Sequence, residues 1–120
     1  MAPVQFEPAE AQEIVRALAA VAAADGAILA REEALLEGFA MQHGIGSHMW
    51  LSAKLDEAAL ARSVTDPEKR RAVLELCLRM AHADGEYAAA ERTLIGRIAR
   101  AFNIPDADLE AMTAAARVER

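Results

Sequence analysis

The sequence predicts an all-α fold: a compact single-domain bundle of about six to seven helices over residues 1–120, built as two pseudo-symmetric helix-turn-helix halves. Three observations carry this. Of the 120 residues 30 are alanine, the best helix former and small enough to let helices approach closely. Aromatic residues are only 4% and β-branched residues are few and scattered, which argues against a sheet. Apolar residues recur at helical spacing in segments punctuated by glycine or proline.

The elements follow in order. Helix 1 is expected from about Pro8 to Ala24, with proline at the first helical position and Glu7, Glu10 and Glu13 near the positive end of the dipole. Its apolar positions are 14, 18, 21 and 22, and Gly26 supplies a left-handed stop. Helix 2, near 30–43, places Leu35, Leu36, Phe39 and His43 on one side and ends at Gly44. Ser47 is a natural N-cap for helix 3, which carries Trp50, Leu51, Leu55 and Ala58. Thr65 and Glu68 have capping-box spacing around Pro67, so helix 4 restarts there and runs to about Ala83. Val73, Leu76, Cys77 and Met80 point inward on it, and Gly85 ends it. Helix 5, near 88–102, buries Leu94, Ile95, Ile98 and Phe102. After Asn103-Ile104-Pro105 a short helix 6 presents Leu109 and Met112.

With so much alanine, the core depends on a modest set of larger residues: Ile14, Leu18, Leu35, Phe39, Trp50, Leu55, Leu76, Met80, Ile98 and Phe102. Cys77, the single cysteine, excludes an internal disulfide and a cysteine-rich zinc site, and its place on an apolar stripe reads as core. No signal peptide is visible, and the most apolar run, IVRALAAVAAA, is too short to span a bilayer. The expectation is a soluble, cytoplasmic chain with no direct membrane insertion. Net charge is −6, with nine acids and four bases in residues 1–65 against ten and nine in residues 66–120. Such a chain has no general attraction for nucleic acid. The basic run Lys69-Arg70-Arg71 reads as a solvated helix face.

The most informative feature is a doubled motif. Asp25-Gly26 is followed by Glu32, and Asp84-Gly85 by Glu91, both as DG-x5-E and 59 residues apart. Residues 18–45 set against 77–104 match at nine of 28 positions, so the repeat is larger than the motif. A purely structural turn accounts for much of it: glycine ends a helix, and glutamate near the next helix start favours the dipole. Two details point further. Asp25 and Asp84 sit at the negative end of a helix, and the following helices lack good N-caps, since Leu29 or Ala30 and Ala88 or Ala89 occupy those places. If the turns meet, Asp25, Glu32, Asp84 and Glu91 form an oxygen-rich cluster suited to Mg²⁺, Ca²⁺ or Mn²⁺. Two independent EF-hands fit poorly, because their first and third ligand positions would be Val21 and Ala23, or Met80 and His82.

The segments LAAVAAADGAILAREEALL and CLRMAHADGEYAAAERTLIGRIARAFNI resemble the TerB family, the tellurite-resistance-associated helical domain, over roughly residues 10–112. The resemblance implies pseudo-symmetric all-α halves and an acidic surface that binds divalent metal. It also implies association with other proteins in stress-response complexes near membranes. Carried over by position, the metal-binding residues are Asp25, Glu32, Asp84 and Glu91. The chain departs from the family in lacking the small hydroxyl residue and proline that often open the helix after the turn. It also lacks the HPD motif of related co-chaperones.

Other candidates are set aside. His43 reads as packed or dipole-stabilising, His82 as an accessory ligand at most, His48 as surface and Trp50 as core. Ser47, Ser52 and Ser63 have no nucleophile context, and there is no phosphate loop. The expected function is therefore non-enzymatic: tellurite or metal stress response with a divalent cation. The alternative is a protein-interaction module in which the acidic turns are purely structural.

Overall fold

The computed structural model describes residues 6–24, 30–45, 56–82 and 89–118. These form six helices and no strand: α1 (Pro8–Ala22), α2 (Ala30–Gln42), α3 (Glu57–Ser63), α4 (Pro67–Ala81), α5 (Ala89–Ala101) and α6 (Asp106–Val118). The expected turns at Gly26 and Gly85, and Ser47, Trp50 and Leu55 of the expected third helix, lie outside the described residues.

Helix starts follow local chemistry. Glu7 is extended before Pro8, and its N–H donates to Glu10 Oε1 at 2.7 Å, so the third residue of α1 satisfies a backbone donor that the helix leaves unpaired. At α4 the cap is Asp66 rather than Thr65. Its carboxylate accepts from the Glu68 N–H at 2.8 Å, and Pro67 follows as the first helical residue. Glu68 thus falls one position too early for the expected capping box. Asp56 is extended likewise and accepts from the Ala59 N–H at 3.0 Å, so α3 begins at Glu57. A single helix running through Leu55 to Ala58 is therefore corrected: an aspartate cap interrupts it.

The ends of α2 and α5 share one geometry. Gly44 has φ 70° and Asn103 φ 59°. Ile45 N–H donates to the Ala40 carbonyl at 2.8 Å and Ile104 N–H to that of Ala99 at 2.9 Å. Gly44 and Asn103 N–H close the inner bonds, to Met41 and Arg100. Both are Schellman turns, in which the left-handed residue is glycine or, as here once, asparagine.

α1 packs against α2, α3, α4 and α5, while α4 packs against α1, α5 and α6, and α5 also meets α3 and α6. Ile14, Leu18, Leu36, Leu60, Leu74, Leu78, Met80, Ile95 and Ile98 are all buried between these elements. Each such side chain contributes about 1.5–3 kcal/mol relative to exposure. The radius of gyration, 13.0 Å, matches the 13–14 Å or so of one domain of this length. Phe39 and Phe102 are core as expected. Leu35 is not: it is 45% exposed, because the apolar pattern of α2 lies on both its sides and Leu36 takes the inward place. α6 is 13 residues long, as long as α2, where a short helix was expected. Leu109, Met112 and Ala116 hold it to the core.

Candidate functional site

The four acids of the doubled motif divide into two groups. Asp25 and Asp84 lie outside the described residues. Glu32 and Glu91 are each the third residue of their helix, α2 and α5, and they are 1% and 2% exposed. Burying a carboxylate on a first turn is favourable only where the helix dipole and a partner compensate lost hydration. Both residues have interaction partners in the fold. They are oxygen donors only, so a cation held by them would be a hard one. Among the described residues no three His, Cys, Asp or Glu side chains converge on a metal-sized space.

A third glutamate sharpens the picture. Glu10 is also the third residue of its helix and is 9% exposed. It performs two tasks: it accepts the Glu7 N–H, and it pairs with Lys69 Nζ across the α1–α4 contact at 2.9 Å. Glu10 and Lys69 are themselves 59 positions apart. The Glu10 carboxylate raises the Lys69 pKa above its ordinary value, chiefly through that hydrogen bond.

The basic run is the clearest correction to the sequence reading. Only Arg71 behaves as a surface residue, pairing with Asp108 at 3.4 Å with both side chains 48% exposed. Arg70 is half-buried, donating from Nε to the Val64 carbonyl at 2.6 Å and from Nη2 to that of Ala61 at 2.8 Å. Its Nη1 reaches the Phe102 carbonyl at 3.3 Å, and the guanidinium lies 5.3 Å from the Phe102 ring centre. One planar cation thus satisfies the carbonyl ends of α3 and α5 together, which a solvated face would not do. Nothing within Lys69-Arg70-Arg71 distinguishes Arg70, because its acceptors lie at the ends of two other helices, Ala61 and Val64 at α3 and Phe102 at α5.

Two of the three histidines also resolve, His48 lying outside the described residues. His43 closes α2, donating Nδ1–H to the Phe39 carbonyl at 2.9 Å and stacking 4.3 Å from the Phe39 ring. His82, the C-cap of α4, is 5% exposed and donates likewise to the Leu78 carbonyl at 2.8 Å. Cys77 is buried, and desolvation pushes its thiol up to about 12, so it is a core residue and no nucleophile at neutral pH. Glu57, in α3, pairs with Arg97 of α5.

These features define a helical domain whose acids are built into helix starts, with four basic side chains, Lys69, Arg70, Arg71 and Arg97, tying its helices together. The family model described as tellurite resistance protein TerB matches residues 55–114, half of the chain, and the chain belongs to that family. The matched span holds α3, α4, α5 and most of α6, with Asp84 and Glu91; α1, α2, Asp25 and Glu32 precede it. Comparison with curated proteins and with solved structures gives no match. Among the described residues no helix is long and apolar enough to cross a membrane.

Proposed function

We propose that this chain acts in tellurite or metal stress as a non-catalytic protein, holding a divalent cation with Asp25, Glu32, Asp84 and Glu91. The observation that supports this most is the burial of Glu32 and Glu91 at the same place on two helices of equal length. Carboxylates are costly to bury, and the same acid kept twice in the same setting suits a shared oxygen-donor site for Mg²⁺, Ca²⁺ or Mn²⁺. The stress-response role rests on family membership. Protein partners, including a membrane-associated complex, belong to the same proposal.

A second reading is favoured by a different observation. Glu10, at the equivalent point of α1, reaches back to an unpaired N–H and needs no metal. If Glu32 and Glu91 do the same, the acidic turns are structural and the domain is a protein-interaction module.

Glutamine separates the two, since it retains the capping bond and loses the charge. Thermal unfolding of wild type and of Glu32→Gln with Glu91→Gln would be followed in EDTA and in each cation. The metal reading expects wild type to gain about 2.7 kcal/mol at 100 times the dissociation constant, and the double variant to lose that gain. A wild type indifferent to every cation, with glutamine tolerated and alanine destabilising, would overturn it in favour of the structural reading.

A further inference from the structure

α2 and α5 have equal length and start 59 residues apart, yet their outer faces differ. On α5, Arg97 pairs with Glu57 of α3, so that face already seats a helix. The corresponding position on α2 is Gly38, where an added Cβ would meet nothing within 4 Å among the described residues. Around Gly38 the α2 surface is apolar. Leu35 is 45% exposed and Met41 80% exposed, and Ala34 is also exposed. The positions matching Leu35 and Met41 on α5 are Leu94, half-buried, and Arg100, a solvated cation. At 100° per residue, Ala34, Gly38 and Met41 form an outward strip of about 10 Å. Leu35 lies on one shoulder, and Glu33 and Glu37 lie on the other, both exposed.

We propose that this face of α2 docks a basic amphipathic helix of another protein. Three features of the face select that occupant. Ala34 and Gly38 let a helix backbone come close, Leu35 and Met41 supply apolar contact, and the Glu33–Glu37 shoulder requires lysine or arginine opposite it. The α3–α5 contact is the internal precedent with the charges reversed: there the cation is on the receiving helix and the anion on the seated one. A second copy with its α2 antiparallel would bring the two Glu33–Glu37 shoulders together along one edge and repel itself. One with its α2 parallel would set each acidic shoulder against the apolar Leu35 of the other, so neither supplies the cations that this shoulder requires. The inference rests on the interaction-module reading and does not involve the acids of the doubled motif.

The test uses the full chain and two labelled synthetic 18-residue helices with the same Leu/Ala stripe, one flanked by lysines and one by glutamates. Fluorescence anisotropy should show the lysine helix binding at least tenfold more tightly than the glutamate helix. Leu35→Glu and Met41→Glu, both on the surface, should weaken it at least tenfold with an unchanged circular dichroism spectrum. Glu33→Lys with Glu37→Lys should exchange the preference between the two helices. Equal binding of the two helices, binding by neither, or full binding by Met41→Glu would overturn the proposal. So would a dimer in sedimentation that Met41→Glu dissolves, since the occupant would then be a second copy. Running the titration in EDTA and in Mn²⁺ separates the readings: loss of helix binding counts against the α2 face, and the metal response of the same samples reports on the buried acids.

Discussion

The pairs α1–α2 and α4–α5 share their helix lengths, 15 and 13 residues, and the 59-residue spacing of their starts, but they are held differently. The first pair is lined with alanine: Ala11, Ala17, Ala19 and Ala22 are all buried. At the corresponding places the second pair has Arg70, Leu76, Leu78 and Ala81, so larger side chains and one cation do the same packing. Arg70 links the two helices of the second pair to each other, and Arg70, Arg71 and Arg97 link that pair to α3 and α6. From the first pair, Glu10 forms a polar link to Lys69, which ends on the second. Equal spacing gives equal backbones, while the neighbours that each helix meets decide what its sides must carry.

Core truncation at matched positions should break the equivalence most. Leu36→Ala and Ile95→Ala each remove a fully buried side chain, and losses of about 2–5 kcal/mol are expected. Ile95 should lie at the upper end, because α5 packs against four described helices and has less room to relax. Urea unfolding of both variants measures the difference directly.

Next comes the cation that the first pair lacks. Arg70→Ala should cost about 2–3 kcal/mol, since charged-donor bonds to three carbonyls are lost. Arg70→Lys should recover less than half of that, because an ammonium cannot reach the ends of two helices as a planar fork does. A lysine variant as stable as wild type would mean that charge alone matters there.

A smaller effect should appear at the two Schellman turns. Gly44→Ala places a side chain at φ 70° and should cost about 1–2 kcal/mol. Asn103→Gly should stay within about 0.5 kcal/mol of wild type, since glycine accepts the same left-handed conformation. Thermal melts of both substitutions would show whether the turns are equivalent in energy as well as in hydrogen bonding.

The smallest effect concerns the link between the pairs, where both side chains retain contact with water. The folded Lys69 pKa is raised above its ordinary 10.5. Its contribution is therefore fully present below about pH 10.5 and is lost as pH rises through the higher folded value. The stability gap between wild type and Lys69→Met should be flat across neutral pH and close in strong alkali. A gap that closes near pH 7 would assign the pairing to another group.

Much of the fold was legible because its signals are local. Pro8, Pro67 and Gly44 mark helix boundaries through their own backbone restrictions, and Leu36, Cys77 and Ile98 follow the apolar period. The differences arise where local signals compete. Leu35 and Leu36 are both apolar neighbours on α2, and periodicity does not choose between them when the outer face is apolar too. Thr65, with Glu68 at capping-box spacing, competes in the sequence with the actual cap Asp66, and Ser47 offers a cap upstream of Asp56. Of the candidate site, the sequence identified Glu32 and Glu91 by repetition, and their burial came from the structure.

Composition and spacing alone determined that this chain is helical, that its two helix pairs have matching lengths, and which acids recur. Those properties depend on backbone preferences that act within a few residues. Tertiary structure decided that Glu32 and Glu91 are buried, that Arg70 bonds to the ends of two helices, and that Leu35 faces outward. Each depends on which distant surface a side chain meets, and the sequence pattern around a residue does not specify its neighbours across the core.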